Sequence, residues 1–138
     1  MEKDGHTDKQ IRAILSSSKT VAVVGISTNP EKSAHYVPKY LQSKGYDIVP
    51  INPNAEQILG KRCLKSIEDV EDAIDIVQIF RPSDQVLPFV KIAISKNPKV
   101  IWLQKGIHNL QAEELALEKG IDVVFNRCML EEHQRLFG

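Results

Sequence analysis

The stretch Thr20-Val-Ala-Val-Val-Gly-Ile-Ser-Thr-Asn-Pro-Glu-Lys-Ser33 decides the fold of this chain. Its first part, Val21 to Val24, is an uninterrupted apolar run rich in β-branched residues, which is typical of a strand buried on both faces of a parallel sheet. Gly25 ends the run, and a polar loop leads to Ser33, which we expect to cap a following helix. This arrangement favours a phosphate site, because backbone N–H groups and the positive helix end face the anion. A βα turn without a ligand is the alternative.

Helices and strands alternate along the rest of the chain. We predict helices over residues 8–16, 36–43, 84–95, 110–119 and 129–136, and strands over residues 21–24, 47–51, 62–64, 74–80, 99–103 and 121–125. Helices and long links between consecutive strands favour parallel pairing with right-handed crossovers. The prediction is therefore an α/β fold: a doubly wound parallel sheet in three layers, with strand order 3-2-1-4-5-6 and one domain over residues 1–138.

Pro38 leaves the start of the second helix open. If that helix begins at Ser33, the proline lies beyond the first turn and should kink it. If it begins near Val37, Pro38 occupies the favoured first position and the preceding loop is longer.

The predicted strand order brings two chain segments together. It places Gly25, after the first strand, beside Phe80, which ends the fourth. Ligands of such sheets bind outside the carboxyl ends of the strands, where the strand order reverses. Arg81 follows Phe80, and we predict that it binds phosphate, because its planar guanidinium can donate two parallel hydrogen bonds.

Composition excludes several classes of protein. The 138 residues carry 18 basic and 18 acidic side chains, so bulk charge favours neither nucleic acid nor a membrane surface as a partner. The two cysteines, Cys63 and Cys128, are too few for a disulfide scaffold. No apolar run approaches about 20 residues, and the N-terminus lacks a signal-peptide pattern. We expect a soluble cytoplasmic protein.

The first loop departs from the dinucleotide fingerprint. That fingerprint requires three glycines as Gly-x-Gly-x-x-Gly and an acidic residue about 20 residues further on. Only the first glycine, Gly25, is present, and the second strand ends in Asn52-Pro53 without a carboxylate. A small NADP-linked oxidoreductase is therefore the weaker alternative, and no proton donor for one is visible near Gln104.

The first loop and a series of later motifs together resemble a known family. In chain order these motifs are Gly25-Ile-Ser-Thr-Asn-Pro-Glu-Lys-Ser33, Gly45-Tyr46, Ile51-Asn-Pro53, Leu59-Gly60, Phe80-Arg81, Trp102-Leu-Gln104-x-Gly106, Asn126-Arg-Cys128 and Glu132-His133. The family is that of small stand-alone CoA-binding domain proteins, relatives of the N-terminal domain of the succinate–CoA ligase α subunit. The resemblance covers about residues 8–137. It implies a Rossmann-like fold that binds coenzyme A or an acyl-CoA.

The resemblance also assigns parts of the ligand to parts of the chain. It implies that the diphosphate contacts the first loop, through Gly25, Ile26, Ser27, Thr28, Lys32 and Ser33. Asn52 and Pro53 would border the adenosine, and Arg81 and Pro82 would flank the phosphates. Gln104 to Gly106 would line the pantetheine path. The ligases carry a lysine after the second-strand proline that is absent here, which leaves three candidates for the 3′-phosphate: Lys32, Arg62 and Arg81.

No catalytic group is visible in the sequence. The ligase relatives phosphorylate a histidine on a second domain, and this chain ends after its last helix, so we expect a non-catalytic carrier, sensor or partner subunit. We interpret His6 as a solvated residue of a loose N-terminal segment, and we see no partner for His108. No spacing of ligands indicates a metal site.

Two features of the last helix leave alternatives open. Cys128 begins the helix and either packs in the core or exchanges disulfides with the coenzyme's thiol. Apolar residues that we expect to be exposed on this helix favour a homodimer: Met129, Leu130, Leu136 and Phe137.

Overall fold

A five-stranded parallel sheet forms the middle layer of the structure, a computed structural model that describes residues 4–138. The strands of this sheet are β1 (Thr20–Val24), β2 (Asp47–Ile51), β5 (Ile76–Ile79), β6 (Val100–Leu103) and β7 (Asp122–Val124), in the spatial order β2-β1-β5-β6-β7. Every residue of β5 and β6 is buried, as their apolar sequences predict. The predicted Rossmann-like α/β fold and the relative order of these five strands are confirmed.

The prediction that residues 62–64 form the third strand of the parallel sheet is wrong. Two short strands, β3 (Gln57–Ile58) and β4 (Lys61–Arg62), pair antiparallel as a separate hairpin. The turn between them, Leu59-Gly60, has positive φ at both residues, which reverses the chain tightly. Leu64 then forms a single parallel bridge with Ile51, so this segment lies outside β2 as expected but does not extend the sheet.

Helices cover both faces of the sheet: α1 (Asp8–Ser17), α2 (Ser33–Ser43), α3 (Val86–Ser95), α4 (Leu110–Glu118) and α5 (Met129–Phe137). Apolar residues of α1, α2 and α5 pack with one face of the sheet, where Trp102 is fully buried. Those of α3 and α4 pack with the other face. Short 3₁₀ turns at Ile67–Asp69 and Ser83–Gln85 complete the connections. Within residues 4–138, every helix falls short of the length and apolarity that crossing a membrane requires.

The structure settles the start of α2, which includes Pro38 in its interior. Ser33 is the first helical residue and Lys32 occupies the N-cap position, so the prediction that Ser33 caps the helix is wrong. A proline at position 38 cannot donate to the carbonyl of Ala34, four residues earlier. That carbonyl accepts instead from the backbone N–H of Ser27, at 3.1 Å, and the freed helix carbonyl is thereby satisfied by the loop.

The last helix is less exposed than the sequence suggested. Met129 is fully buried, and Leu130 and Leu136 pack partly buried against the core. Phe137 alone among these four residues is largely exposed, at 44%. The homodimer therefore stays a prediction with a smaller apolar surface than expected.

Candidate functional site

Gly25 and Arg81 meet at the point where the strand order reverses. Val24 at the end of β1 is paired with Ile79 of β5, and the N–H of Phe80 donates to the carbonyl of Val24 at 2.9 Å. Gly25 has φ of +82°, and a Cβ placed on it would lie 2.7 Å from the Phe80 carbonyl oxygen and 3.2 Å from Cδ of Arg81. Only glycine fits both this conformation and this approach, so the close contact of the two segments depends on it.

The N-terminus of α2 has no side-chain cap. Lys32 accepts no capping hydrogen bond, and no acidic residue lies in the first turn. The N–H groups of Ser33 and Ala34 donate to no other group within the part of the chain that the structure describes. By contrast, α1 and α4 begin with side-chain caps from Thr7 and Asn109. The unsatisfied N–H groups and the positive helix end together can bind an anion.

Internal hydrogen bonds hold the loop between β1 and α2. Besides the bond from Ser27 N–H to Ala34, Nδ1 of His35 donates to the Ser27 carbonyl at 2.7 Å, since a carbonyl can only accept. Nδ2 of Asn52 donates to the carbonyl of Ile26 at 2.9 Å, which ties the loop to the end of β2. The loop is therefore fixed before any ligand arrives, and the Ser27 N–H is already used within the protein.

The guanidinium group of Arg81 has few hydrogen-bond partners and no carboxylate partner in the described chain. Its Nη2 donates to Oε1 of Gln85 at 2.7 Å, and its Cζ lies 5.7 Å from the ring centroid of Phe89. Its Nε is buried without a hydrogen-bond partner, and across residues 4–138 no carboxylate lies within ion-pair distance of it. A buried donor without an acceptor costs about 1–3 kcal/mol, so an incoming acceptor would be stabilised here.

Two cavities share Arg81. The first cavity, of about 360 Å³, lies at the ends of β1 and β2. It is lined by five residues that the sequence analysis assigned to the ligand: Gly25, Ile26, Asn52, Pro53 and Arg81. It is also lined by residues that the sequence did not indicate, among them Lys65, Ser66, Ile67, Phe89 and Ile92. Lys65 directly follows Leu64 beside β2, so the rule that ligands bind at the carboxyl edge would have found it.

The second cavity, of about 590 Å³, lies on the other side of Arg81. Six of its lining residues were assigned from the sequence: Lys32, Ser33, Arg81, Pro82, Gln104 and Lys105. Cys128, which the sequence offered as a partner for the coenzyme's thiol, lines it as well. Others were not assigned to the ligand: Ala34, Tyr36, Phe80, Ile107 and Glu131. Ser27, Thr28 and Gly106 line neither of the two cavities, and the N–H of Gly106 donates to Oδ1 of Asn126 at 2.7 Å. Their assignment stays a prediction.

Gln104 has a role in the core that the sequence did not indicate. Its Oε1 accepts from Nε2 of Gln78 and from the backbone N–H of Met129, each at 3.0 Å. The second of these bonds satisfies the first N–H of α5. Gln104 therefore joins two strands to the start of the last helix, and it also lines the second cavity.

A second charged region, the ion-pair cluster, consists of Asp4, His6, Asp122, Arg127 and Glu132. Arg127 donates to Asp4 at 2.7 and 3.0 Å and lies 3.4 Å from Glu132. Nε2 of His6 is 2.9 Å from Asp122. The interpretation of His6 as a solvated residue is thus wrong, as is the expectation that residues 4–6 are loose; residues 1–3 lie outside the described chain.

The pKa values of the ion-pair cluster reflect this pairing. Hydrogen bonding to Asp122 and then to Asp4 raises the pKa of His6 to about 9. Burial alone would raise the pKa of Asp4, but hydrogen bonds from His6 and Arg127 outweigh burial and hold it far below its usual range. Both cations of the cluster, His6 and Arg127, are paired with its carboxylates, so neither is available to bind an anionic ligand.

The remaining titratable side chains have structural surroundings. Nδ1 of His108 lies 2.7 Å from Oε2 of Glu113, and its ring stacks on Phe125, so the expectation that His108 has no partner is wrong. Burial raises the pKa of the Cys63 thiol, which lies beyond the hairpin. Among the residues described, no group of three or more His, Cys, Asp or Glu side chains is placed to hold a metal ion.

Comparison with known proteins gives one consistent result. The sequence model of a family described as "CoA binding domain" matches residues 19–134. The YneT protein of Bacillus subtilis (strain 168), described as uncharacterized, is 36% identical over 124 residues, which is 90% of this chain and 92% of YneT. A hypothetical protein from Pyrococcus horikoshii OT3 has a solved structure that is 42% identical, with a TM-score of 0.94 over the full length of both chains.

A larger enzyme shares part of the sequence. The acetate–CoA ligase (ADP-forming) of Methanocaldococcus jannaschii is 39% identical over 69 residues, which are 50% of this chain. This chain matches only 10% of the length of that ligase. The shared portion is therefore one segment of a much longer enzyme.

Proposed function

We propose that this chain, which belongs to the CoA binding domain family, binds coenzyme A or an acyl-CoA at the carboxyl edge of its sheet. One observation carries the proposal: Arg81, whose buried Nε has no partner, lines both cavities. A ligand with an anionic middle and two arms matches this arrangement. Coenzyme A has a diphosphate between a nucleotide and a pantetheine arm.

The diphosphate is assigned to Arg81 and to the uncapped start of α2. The free N–H groups of Ser33 and Ala34 and the ammonium group of Lys32 lie at that start. A phosphate oxygen bound there gains charge-assisted hydrogen bonds and the favourable helix dipole. Gly25 to Thr28 would support the diphosphate through the main chain.

The two arms are assigned by the lining of the cavities. The adenosine would occupy the first cavity, between Asn52-Pro53 and the ring of Phe89. Lys65 lines that cavity as well and joins Lys32, Arg62 and Arg81 as a candidate for the 3′-phosphate. The pantetheine arm would occupy the second cavity, past Pro82 toward Gln104.

The proposed role is that of a non-catalytic carrier, sensor or partner subunit. Neither cavity brings together a nucleophile, a base and an orienting partner in the described residues, as covalent catalysis requires. We further propose that residues 1–138 act as one CoA-binding unit in the cytoplasm. The two free cysteines, both buried, support a reducing compartment.

Isothermal titration tests the proposal directly. Coenzyme A, dephospho-CoA, NADH and NADPH are titrated separately into the protein at one ionic strength, because the phosphate contacts depend on salt. We expect coenzyme A to bind most tightly and dephospho-CoA to bind more weakly. Tighter binding of NADPH would favour the NADP-linked oxidoreductase instead, and the absence of any heat with coenzyme A would overturn the proposal.

A further inference from the structure

Cys128 is a thiol held in place at the wall of the second cavity. Trp102 Nε1 donates to the carbonyl of Arg127 at 2.8 Å, and Oε1 of Gln104 accepts from the N–H of Met129 at 3.0 Å. Two side chains of the β6 segment therefore fix the residues on both sides of Cys128. Cys128 as a residue is 8% exposed and lines the same cavity as Arg81.

A second, independent feature of this cavity is a hydrogen-bond donor without an acceptor in the described chain. Gln104 is only 4% exposed, and a backbone N–H can only donate, so the atom that faces Met129 must be the amide oxygen. The amide nitrogen therefore lies on the other side, and it donates to no group in the described chain. Gln104 lines the cavity with this unused donor. Pantetheine contains two amide carbonyls that can accept from it.

We propose that Cys128 undergoes thiol–disulfide exchange with the disulfide of coenzyme A, an inference that rests on the proposed CoA site. In this step the Cys128 thiolate attacks one sulfur of CoA–S–S–CoA. A sulfur–sulfur bond forms between Cys128 and one CoA, and the bond between the two CoA sulfurs breaks. The second CoA leaves as a thiolate with the electron pair and takes up a proton. Protein and oxidised coenzyme thus yield a mixed disulfide and one reduced CoA.

The surroundings of Cys128 favour this exchange over exchange with other disulfides. Arg81 and Lys32 line the same cavity and would hold the diphosphate, so the sulfur at the end of the pantetheine arm would be delivered to the thiol. Holding two reactants together raises the rate far above that of a free encounter. Cys63 lies outside this cavity, and its raised pKa disfavours the attacking thiolate, which makes it the internal control.

Intact-mass spectrometry over time tests the proposal. Reduced wild-type protein is incubated with CoA disulfide or with 2-hydroxyethyl disulfide, which is small and uncharged. We expect one CoA per chain, bound at Cys128 by peptide mapping, in wild type and Cys63→Ser, and none in Cys128→Ser. We expect the CoA disulfide to react about tenfold faster or more, and this preference to disappear in Arg81→Ala.

The controls separate failure of the inference from failure of the proposed function. Reduced CoA is titrated into the same wild-type preparation. If it binds while no adduct forms, or while the adduct maps to Cys63, the exchange is refuted and the CoA site stands. If it does not bind and both disulfides react equally fast, the CoA site itself is refuted. Peptide mapping of the wild type decides the location even if Cys63→Ser fails to fold.

Discussion

Arg81 and Arg127 occupy comparable positions and have opposite surroundings. Each arginine follows the carboxyl end of a parallel strand, β5 and β7 respectively. Arg127 is bound by Asp4 and Glu132 and its side chain is 14% exposed. Arg81 has the neutral Gln85 as its hydrogen-bond partner and a buried Nε without one. The comparison shows that carboxylates supplied by distant segments, rather than the residue type, decide whether a cation stabilises the fold or can bind an anion.

The starts of the helices show the same difference. The first N–H of α5 is satisfied by Oε1 of Gln104, and its first turn contains Glu131 and Glu132. The first turn of α2 has neither a side-chain cap nor an acidic residue. An uncapped helix start costs about 1 kcal/mol relative to a capped one. A bound anion at α2 would recover this stability.

The largest expected effect is that of Arg127→Ala on stability. The substitution leaves the carboxylate of Asp4, whose side chain is 2% exposed, without its guanidinium partner. We expect the free energy of unfolding to fall by about 3 kcal/mol or more. Urea unfolding followed by the fluorescence of Trp102 measures it. Arg135→Ala removes a more exposed arginine that pairs with Asp8 and Glu132; because Glu132 keeps Arg127 as a partner, this variant should cost less than about 1 kcal/mol. Equal losses for the two variants would contradict our interpretation of the cluster.

Arg81→Ala should show the reverse behaviour. We expect CoA binding to weaken by about 1.5–3 kcal/mol, roughly 10- to 150-fold in Kd, because a charge-assisted hydrogen bond is lost. The free energy of unfolding should change by less than about 1 kcal/mol, since no carboxylate in the described chain depends on this arginine. Arg12→Ala removes one positive charge from α1 and serves as the titration control. If both variants bind CoA equally well, Arg81 does not contact the ligand.

The pH dependence of stability should reveal the ion-pair cluster through His6. The pKa of His6 in the folded protein, about 9, lies above its ordinary value, so protonated His6 stabilises the fold. This contribution is complete below about pH 6.5 and is lost as the pH rises through about 9. Because Asp122 is 45% exposed and partly screened by water, we expect a loss on the order of 1–2 kcal/mol.

The matched variant for this prediction is His6→Gln, which cannot gain a charge. Its free energy of unfolding should be nearly constant between about pH 6.5 and about pH 9.5, whereas that of the wild type falls. Urea unfolding at several pH values within this interval measures both. A wild-type curve parallel to that of the variant would show that His6 is not charged in the folded protein.

The smallest expected effect concerns Lys65. This lysine lines the first cavity and is exposed, so its contribution to binding a 3′-phosphate should be about 0.5 kcal/mol. We expect Lys65→Ala to reduce the preference for CoA over dephospho-CoA by about twofold. Parallel titrations of both ligands isolate this preference from general charge effects. Lys9→Ala, on the exposed surface of α1, should leave it unchanged, and a similar loss in both variants would exclude Lys65 as the phosphate ligand.

The sequence predicted the structure best where the pattern of neighbouring residues is sufficient to assign an element. The apolar run of β1 and the helical spacing of Ile11 and Leu15 are local features, and each reports which face an element buries. The handedness of parallel connections then predicts that Gly25 lies beside Phe80, as it does in the structure. Strand order along the chain is thus sufficient to locate the carboxyl edge and several residues at it.

Other features depend on contacts between distant parts of the chain. Asp4 and Arg127 are 123 residues apart, and nothing in the local sequence of His6 indicates Asp122. The partner of the carbonyl that Pro38 leaves free, the N–H of Ser27, likewise became evident only in the fold. These pairings depend on which polar groups are brought together once the chain is compact, and periodicity contains no information about them.

The sequence by itself therefore determined the layers, the order of the five paired strands and the location of Gly25 and Arg81 at one edge of the sheet. Tertiary structure alone decided which charges are compensated, since Arg127 is paired within the protein and Arg81 is not. The physical reason is that apolar burial follows from each residue's own type and spacing. Compensation of a charge depends on a partner that only the folded chain brings within hydrogen-bonding distance.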